Sequence, residues 1–166
     1  DDSLKTVALS NGTDTAQSPA MSTCTPVIYG GRAYVGVSGA SQFGAYSGHN
    51  ITVIDLSAWK IAYSVPTQGY PQTSGLLTTA YAADGSVYVY FFDNYTPGKL
   101  RVLKDAPGQT APELVTTERY NDRGTMLSVD TPYVLFTPQD EQAQYAICSP
   151  ITDSYGTIYF KNDSAY

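Results

Sequence analysis

The sequence predicts an all-β protein built from a short antiparallel sheet that is repeated along the chain. Its 166 residues include fifteen tyrosines but only nine lysines and arginines, and 14% of the residues are charged. Tyr, Val and Thr favour the pleated, half-buried surfaces of sheets. A chain of this length can bury a substantial core, so we expect a globular β fold.

Short apolar segments alternate with turn signals along most of the chain. Gly30-Gly31, Asp84-Gly85 and Ser154-Tyr155-Gly156 are typical of tight hairpin turns. The pattern groups the predicted strands into sets that follow one another. The predicted strands are residues 25–29, 32–37, 51–56 and 60–65; then 76–82, 86–92, 99–104 and 113–117; then 125–129 and 133–137; and finally 145–152 and 157–161. Residues 4–9 could form one more.

The hairpins resemble one another. Gly31, Gly85 and Gly156 are each followed three positions later by a tyrosine. Their spacings, 85 − 31 = 54 and 156 − 85 = 71 residues, suit one blade of a β-propeller and one blade with an insertion. Residues 118–144 would supply that insertion.

The strand predicted at residues 86–92 is apolar on both faces. Val87, Val89 and Phe91 point one way, and the intervening residues, which point the other way, are also aromatic. A strand with one wet face would alternate with charge, whereas blades packed radially bury both faces. We therefore predict a partial β-propeller of about three four-stranded antiparallel blades, the last incomplete. A β-sandwich with a covered central strand is the alternative.

These boundaries define the predicted organisation. Residues 1–21 form an N-terminal arm or a strand of a preceding blade, and residues 22–166 form the partial propeller. The predicted blades span residues 22–66, 74–117 and 145–166, with the insertion at 118–144.

Residues 53–63 resemble the blade motif of quinoprotein (PQQ-type) propellers, Ala-x-Asp-x-x-Thr-Gly-Lys-x-x-Trp. Asp55 and Lys60 match, Val53 and Tyr63 are similar in character, and Trp59 stands where the motif has glycine. Residues 105–108 are a weaker echo. Over residues 22–166 the chain resembles quinoprotein-like propellers of large surface proteins of Gram-positive bacteria. The resemblance implies an extracellular or cell-surface location and seven or eight blades. The remaining blades would come from the parent protein or from a second copy, as a homodimer.

Charge and hydropathy exclude several partner classes. The net charge of −6 argues against binding to nucleic acid and to anionic membranes. No apolar run approaches the roughly 20 residues of a membrane span, and no signal segment opens the chain.

We expect no catalytic, cofactor or metal site. The cofactor platform of quinoproteins does not carry over, because Trp59 is the single tryptophan and Cys24 and Cys148 are far apart. These cysteines occupy equivalent places in two repeats and are predicted to be buried free thiols. His49 is predicted to be an exposed loop histidine. Asp84 and the Asp93-Asn94 pair are expected to form turns rather than a calcium site.

The predicted function is a non-catalytic extracellular binding or scaffolding module for a glycan or a protein. Tyr46, Tyr70 and Tyr95 fall in predicted loops and are the candidate ligand-binding residues, because exposed tyrosine rings stack on sugars and on protein partners. The alternative is a fragment of a quinoprotein-like oxidoreductase or a propeller hydrolase whose active site needs further blades.

Overall fold

The computed structural model describes residues 3–9, 20–38, 48–80, 84–113, 119–120, 126–127, 134–139 and 143–163. Within these residues the chain is all-β, with twelve strands and no helix. The strands are β1 (Val27–Tyr29), β2 (Arg32–Val37), β3 (Asn50–Asp55), β4 (Lys60–Pro66), β5 (Leu76–Thr78), β6 (Val87–Phe92), β7 (Leu100–Asp105), β8 (Arg119–Tyr120), β9 (Met126–Leu127), β10 (Val134–Phe136), β11 (Ile151–Thr152) and β12 (Ile158–Tyr159).

The strands form antiparallel sheets in chain order. The first sheet is β1-β2-β3-β4, the second is β5-β6-β7-β10, and the third is the pair β11-β12; β8 pairs with β9 separately. The predicted all-β class and most predicted strands are confirmed, β2 with the predicted bounds. The strand predicted at residues 4–9 is wrong, since residues 3–9 form none.

The outer edge of the second sheet is made by two separate pieces of chain. Glu113 forms a bridge with Lys104, and β10 pairs with β7 through Val134 and Arg101. Residues 114–117 of the predicted fourth strand lie outside the described residues. The segment predicted as an insertion therefore contributes a strand, β10, to the second sheet.

The second sheet is covered along one face of β6 and in part on the other, where Phe92 is buried and Tyr88 and Tyr90 are half-buried. Val87, Val89 and Phe91 form one apolar cluster with side chains of β2, β3 and β4 in the first sheet. On the opposite face, Phe92 packs with Ala146, and its ring lies 4.6 Å from that of Phe160 beside the third sheet. Burial of these two apolar faces is the main term that holds the three sheets together.

The two ends of this stack differ. Val7, Leu9, Ala20 and Cys24 pack on the outer face of the first sheet, so the predicted N-terminal arm covers it. In the third sheet Ile158 packs towards the second sheet, and neighbouring strand residues point to opposite faces. The outer face of the third sheet therefore carries Ile151 and its cross-strand partner Tyr159, which are 65% and 51% exposed.

One backbone hydrogen bond recurs in each of the three sheets. It is accepted by the residue six positions before the sheet's first strand and donated by a residue that follows the second strand. We call it the crossover bond. The three bonds run from Ser38 N to Met21 O (2.8 Å), from Asn94 N to Tyr70 O (2.8 Å) and from Asp163 N to Tyr145 O (2.9 Å). The chain thus enters each sheet by the same route, which is a structural repeat.

The crossover between the first and second sheets passes very close to β2. A Cβ atom placed on Gly36 would lie 1.8 Å from the carbonyl oxygen of Pro71, so only glycine fits. The next crossover is also tight, because a Cβ on Gly98 would lie 2.8 Å from the Cβ of Ala146. These glycines allow the sheets to stack at their observed separation.

The turn after β3 is held by Asp55 and brings Trp59 into an unusual backbone conformation. Asp55 Oδ1 accepts hydrogen bonds from the backbone nitrogens of Ser57 (2.8 Å) and Ala58 (3.0 Å). Trp59 then has a φ of 51°, in the left-handed region that favours glycine, and Gly108 has a φ of 79° in the turn after β7. Trp59 therefore holds a backbone conformation that glycine adopts more readily than any other residue.

We predict that Gly36→Ala destabilises the fold by about 3 kcal/mol or more, because the added methyl group collides with backbone that cannot move without separating two sheets. Gly31→Ala is the matched control. A Cβ at Gly31 meets nothing within 4 Å, and its only cost is the positive φ of 76°, about 1 kcal/mol. Urea unfolding of both variants measures the difference in the free energy of unfolding. Equal losses in the two variants would contradict the close approach of Gly36 to the carbonyl group of Pro71.

Candidate functional site

Asp105 is the centre of a buried polar cluster between the first and second sheets. Its side chain is fully buried, and its carboxylate forms an ion pair with Arg32 (Nε to Oδ2, 2.6 Å). The hydroxyl of Tyr34 donates to Oδ2 at 2.8 Å, and that of Tyr63 donates to Oδ1 at 2.5 Å. The guanidinium of Arg32 also lies 5.7 Å from the centroid of the Tyr63 ring. One carboxylate of the second sheet therefore binds three side chains of the first.

This cluster has the chemistry of a structural contact. Burial, and then the hydrogen bond to Asp105, raise the pKa of Tyr34 and of Tyr63 well above the ordinary value of tyrosine, so both hydroxyls stay protonated and keep donating. The cavity beside the cluster encloses only about 20 Å³, room for about one water molecule. This cavity is too small to hold a substrate.

A second buried ion pair joins Arg101 in β7 to Asp93, which directly follows β6. Arg101 Nε lies 2.7 Å from both carboxylate oxygens of Asp93, whose pKa is raised by burial and lowered by the arginine, with burial the larger effect. The prediction that Asp93 and Asn94 bond their own loop is therefore wrong, because Asn94 donates to Gln72 (3.1 Å). Asp84 accepts the backbone N–H of Ser86 at 3.1 Å, the predicted turn.

No group of three or more His, Cys, Asp or Glu side chains comes together within the described part of the chain. His49, predicted to be exposed, is only 2% exposed. Its ring stacks on Tyr70 with the ring centroids 6.2 Å apart, and burial lowers the pKa of the imidazole. Residues next to it in sequence are polar, so burial could not be read from the local pattern.

The two cysteines are free, as predicted, and both are half-buried rather than fully buried. Each lies three positions before the first strand of its sheet, so their equivalence in the repeat is confirmed. The sulfur of Cys24 accepts the backbone N–H of Gly36 at 3.0 Å.

The three candidate ligand-binding tyrosines have different surroundings. Tyr46 lies outside the described residues. Tyr70 is 4% exposed, with its hydroxyl 2.9 Å from Thr23 Oγ1, so the prediction of an exposed ring there is wrong: the crossover presses it against the first sheet. Tyr95 is 37% exposed and lies at the edge of a cleft.

This cleft lies between the second and third sheets, and we call it the sheet 2–3 cleft. It encloses about 540 Å³ and is lined by Asn94, Tyr95, Thr96, Tyr145, Ile147 and Asp163. The first three residues belong to the loop between β6 and β7, the next two to the second crossover, and the last follows β12. None of the described lining residues is a cation, and one is a carboxylate.

Backbone hydrogen bonds hold the walls of the cleft. The crossover bond fixes Tyr145 beside Asp163, and Gly98 N donates to Gln144 O at 3.0 Å, which fixes the crossover to the β6–β7 loop. On the loop side, Tyr95 N donates to Asp93 O at 3.0 Å. The two tyrosines are therefore positioned by backbone on separate segments.

The repeat provides an internal comparison for this site. Tyr70 and Tyr145 accept equivalent crossover bonds, yet Tyr70 is 4% exposed and Tyr145 is 49% exposed. The place that is packed at the first interface is therefore open at the second. Sequence reasoning missed Tyr145, Ile147 and Asp163. It placed Tyr145 and Ile147 in a strand predicted at residues 145–152, which was wrong for residues 145–150, because the strand begins at Ile151.

No family model, curated protein or solved structure matches this chain. The resemblance to quinoprotein-like propellers therefore stays a prediction. The described residues contain no helix that is long and apolar enough to cross a membrane.

We predict that Asp105→Ala lowers the free energy of unfolding by about 3–5 kcal/mol, because it leaves Arg32 buried without its counter-charge. Asp55→Ala is the matched control: Asp55 holds the corresponding position at the end of β3, and its hydrogen bonds lie within its own exposed turn, so its loss is smaller. Chemical denaturation measures both. If Asp105→Ala lowered the free energy of unfolding no more than Asp55→Ala does, the stabilising role of the Asp105 contacts between the two sheets would be contradicted.

We also predict alkaline destabilisation caused by Tyr34 and Tyr63. Their pKa values are raised in the folded protein, so their stabilisation is complete below the ordinary tyrosine pKa of about 10 and is lost as the pH rises above it. The free energy of unfolding, measured by urea from pH 7 to about pH 11.5, should fall less steeply in Tyr34→Phe/Tyr63→Phe, although that variant is less stable at pH 7. Tyr155→Phe, at an 88% exposed tyrosine, should keep the wild-type slope. An unchanged slope in the double variant would contradict the assignment.

Proposed function

We propose that this chain is part of a β-propeller that acts as a non-catalytic extracellular binding module and takes its ligand in the sheet 2–3 cleft. The observation that carries the proposal is that equivalent residues of two crossovers differ in exposure. The same crossover is packed shut around Tyr70 and stands open around Tyr145. The position is filled at Tyr70, so the chain path itself does not require an opening there. At Tyr145 it is open, and two tyrosine rings and a carboxylate line the opening.

The packing supports a propeller over a sandwich. A sandwich has two layers, whereas here a second sheet is covered by a first and a third. The entry segments of successive sheets also approach one another. A Cβ on Gly75 would lie 3.6 Å from Val27 Cγ2, and Ser74 N donates to Ser149 Oγ at 3.1 Å. Blades around an axis bring their first strands together in this way.

The surroundings of the buried carboxylates support a non-catalytic role. Asp93 and Asp105 are the two fully buried acids among the described residues, and each is paired with an arginine. Neither faces the sheet 2–3 cleft. Among the described residues that line the cleft, Asp163 is the one acid, and it is exposed.

The exposed outer face of the third sheet supports the proposal that a further partner packs there. Ile151 and Tyr159 are exposed there, and covering them would continue the stacking seen between the other sheets. In the proposed function the cover is the next blade of the parent protein or a second copy of this chain. The resemblance to propellers of bacterial surface proteins supports the extracellular location.

We predict that Tyr95→Ala/Tyr145→Ala weakens ligand binding at least about tenfold, since each ring contributes apolar contact area and stacking. The measurement is a glycan array and a protein array probed with the whole chain, followed by titration of the ligands retained. Tyr155→Ala is the control, because Tyr155 is 88% exposed but lies outside the cleft. The proposal fails if the folded wild-type protein retains no ligand on either array, or if the double variant binds like the wild type.

A further inference from the structure

We propose that the sheet 2–3 cleft binds a neutral mono- or disaccharide, an inference that rests on the binding function proposed above. Tyr95 and Tyr145 would contact the apolar faces of the sugar ring, and Asn94 and Asp163 would bind its hydroxyl groups. The chemistry of the lining residues carries this assignment.

The size of the cleft suits a small organic ligand. Its volume of about 540 Å³ lies within the range of roughly 300–1,000 Å³ that is typical of small-molecule sites. The cleft is open to solvent along one side, because Tyr95, Tyr145 and Ile147 are 37%, 49% and 51% exposed. A folded protein domain could not insert into it, whereas one or two sugar rings could.

The aromatic lining residues offer what a pyranose ring needs. A pyranose ring has apolar C–H faces and a rim of hydroxyl groups. A tyrosine ring presents a broad apolar face with a polar tip, so it can cover the C–H face while its hydroxyl reaches the rim. Two such rings on separate segments, with Ile147 beside Tyr145 in the crossover, provide apolar contact from two directions.

The polar lining residues are hydrogen-bonding groups of matching kind. The carboxylate of Asp163 is an acceptor with two oxygens, and Asn94 and Thr96 can both accept and donate. Neighbouring sugar hydroxyls donate well to a carboxylate, and charge-assisted bonds of this kind are stronger than neutral ones. The crossover bond holds the backbone of Asp163 against that of Tyr145, so ring stacking and hydroxyl binding converge on one place.

The electrostatics exclude anionic sugars. No lysine or arginine is among the described residues that line the cleft, and the chain has a net charge of −6. A uronic acid or a phosphorylated sugar would bring its charge next to Asp163 without a counter-charge. A cationic ligand such as choline suits tyrosines and a carboxylate, but its single hydroxyl group could satisfy only one of Asn94 and Thr96. The neutral saccharide uses all of these groups.

The test is isothermal titration of the whole chain with methyl glycosides of glucose, galactose, mannose and N-acetylglucosamine, with maltose and cellobiose, and with glucuronate and choline chloride. We expect at least one neutral saccharide to bind saturably, and glucuronate and choline to bind at least about tenfold more weakly. Asp163→Ala and Tyr145→Ala should each weaken the saccharide about tenfold, and Tyr145→Phe, which keeps the ring, should weaken it much less. Asp84→Asn, which removes an exposed charge outside the cleft, should bind like the wild type.

Three outcomes overturn the assignment, with far-ultraviolet circular dichroism confirming that each variant is folded. The first is that no neutral saccharide binds saturably. The second is that binding is indifferent to both Asp163→Ala and Tyr145→Ala. The third is that choline or a protein from the array binds at Tyr145 in place of saccharides; the binding function then stands and only the ligand class is wrong. If neither array nor titration finds any ligand, the binding function fails as well.

Discussion

The structure depends on burying apolar side chains on each face of its second sheet. Val87, Val89 and Phe91 on one face and Phe92 on the other are almost completely buried, and each buried apolar Å² contributes roughly 25 cal/mol. A single neighbouring sheet would leave one of these faces in water. The first and third sheets must therefore both be present. The Asp105 cluster then fixes the relative position of the first two, because its three partners all lie in the first sheet.

Because the sheets stack in this way, the backbone follows the same path into each sheet. The side chains along that path differ from one interface to the next. Each sheet is entered by a crossover with the same backbone bond, and glycine at position 36 lets the first crossover lie against its sheet. Backbone geometry is thus conserved within the chain while side chains change from one interface to the next. At the first interface Tyr70 packs on His49, whereas at the second Tyr145 and Tyr95 stand apart around the cleft.

Local pattern was enough to predict much of the fold. The short apolar segments of β2 and β6 and the turn at Asp84-Gly85 predicted nearly the observed strands, because strand composition and turn chemistry involve residues close in sequence. It was not enough for His49, Asp93 or Tyr70, which are polar or amphipathic residues in loop-like sequence. Their burial is produced by a neighbouring sheet or crossover. Tyr95 was predicted as a site residue, but its partners Tyr145 and Asp163 are 50 and 68 positions further along the chain.

The sequence by itself determined that this protein is all-β, roughly where most of its strands lie, and that β6 is apolar on both sides. Those properties follow from the period-two alternation of side chains and from the backbone preferences of glycine and aspartate. Only the tertiary structure decided which face meets which sheet, which acids are paired with arginine, and that one repeated position is closed while another is open. The physical reason is that burial is a property of distant segments brought together by packing, and no local pattern encodes which distant segment will arrive.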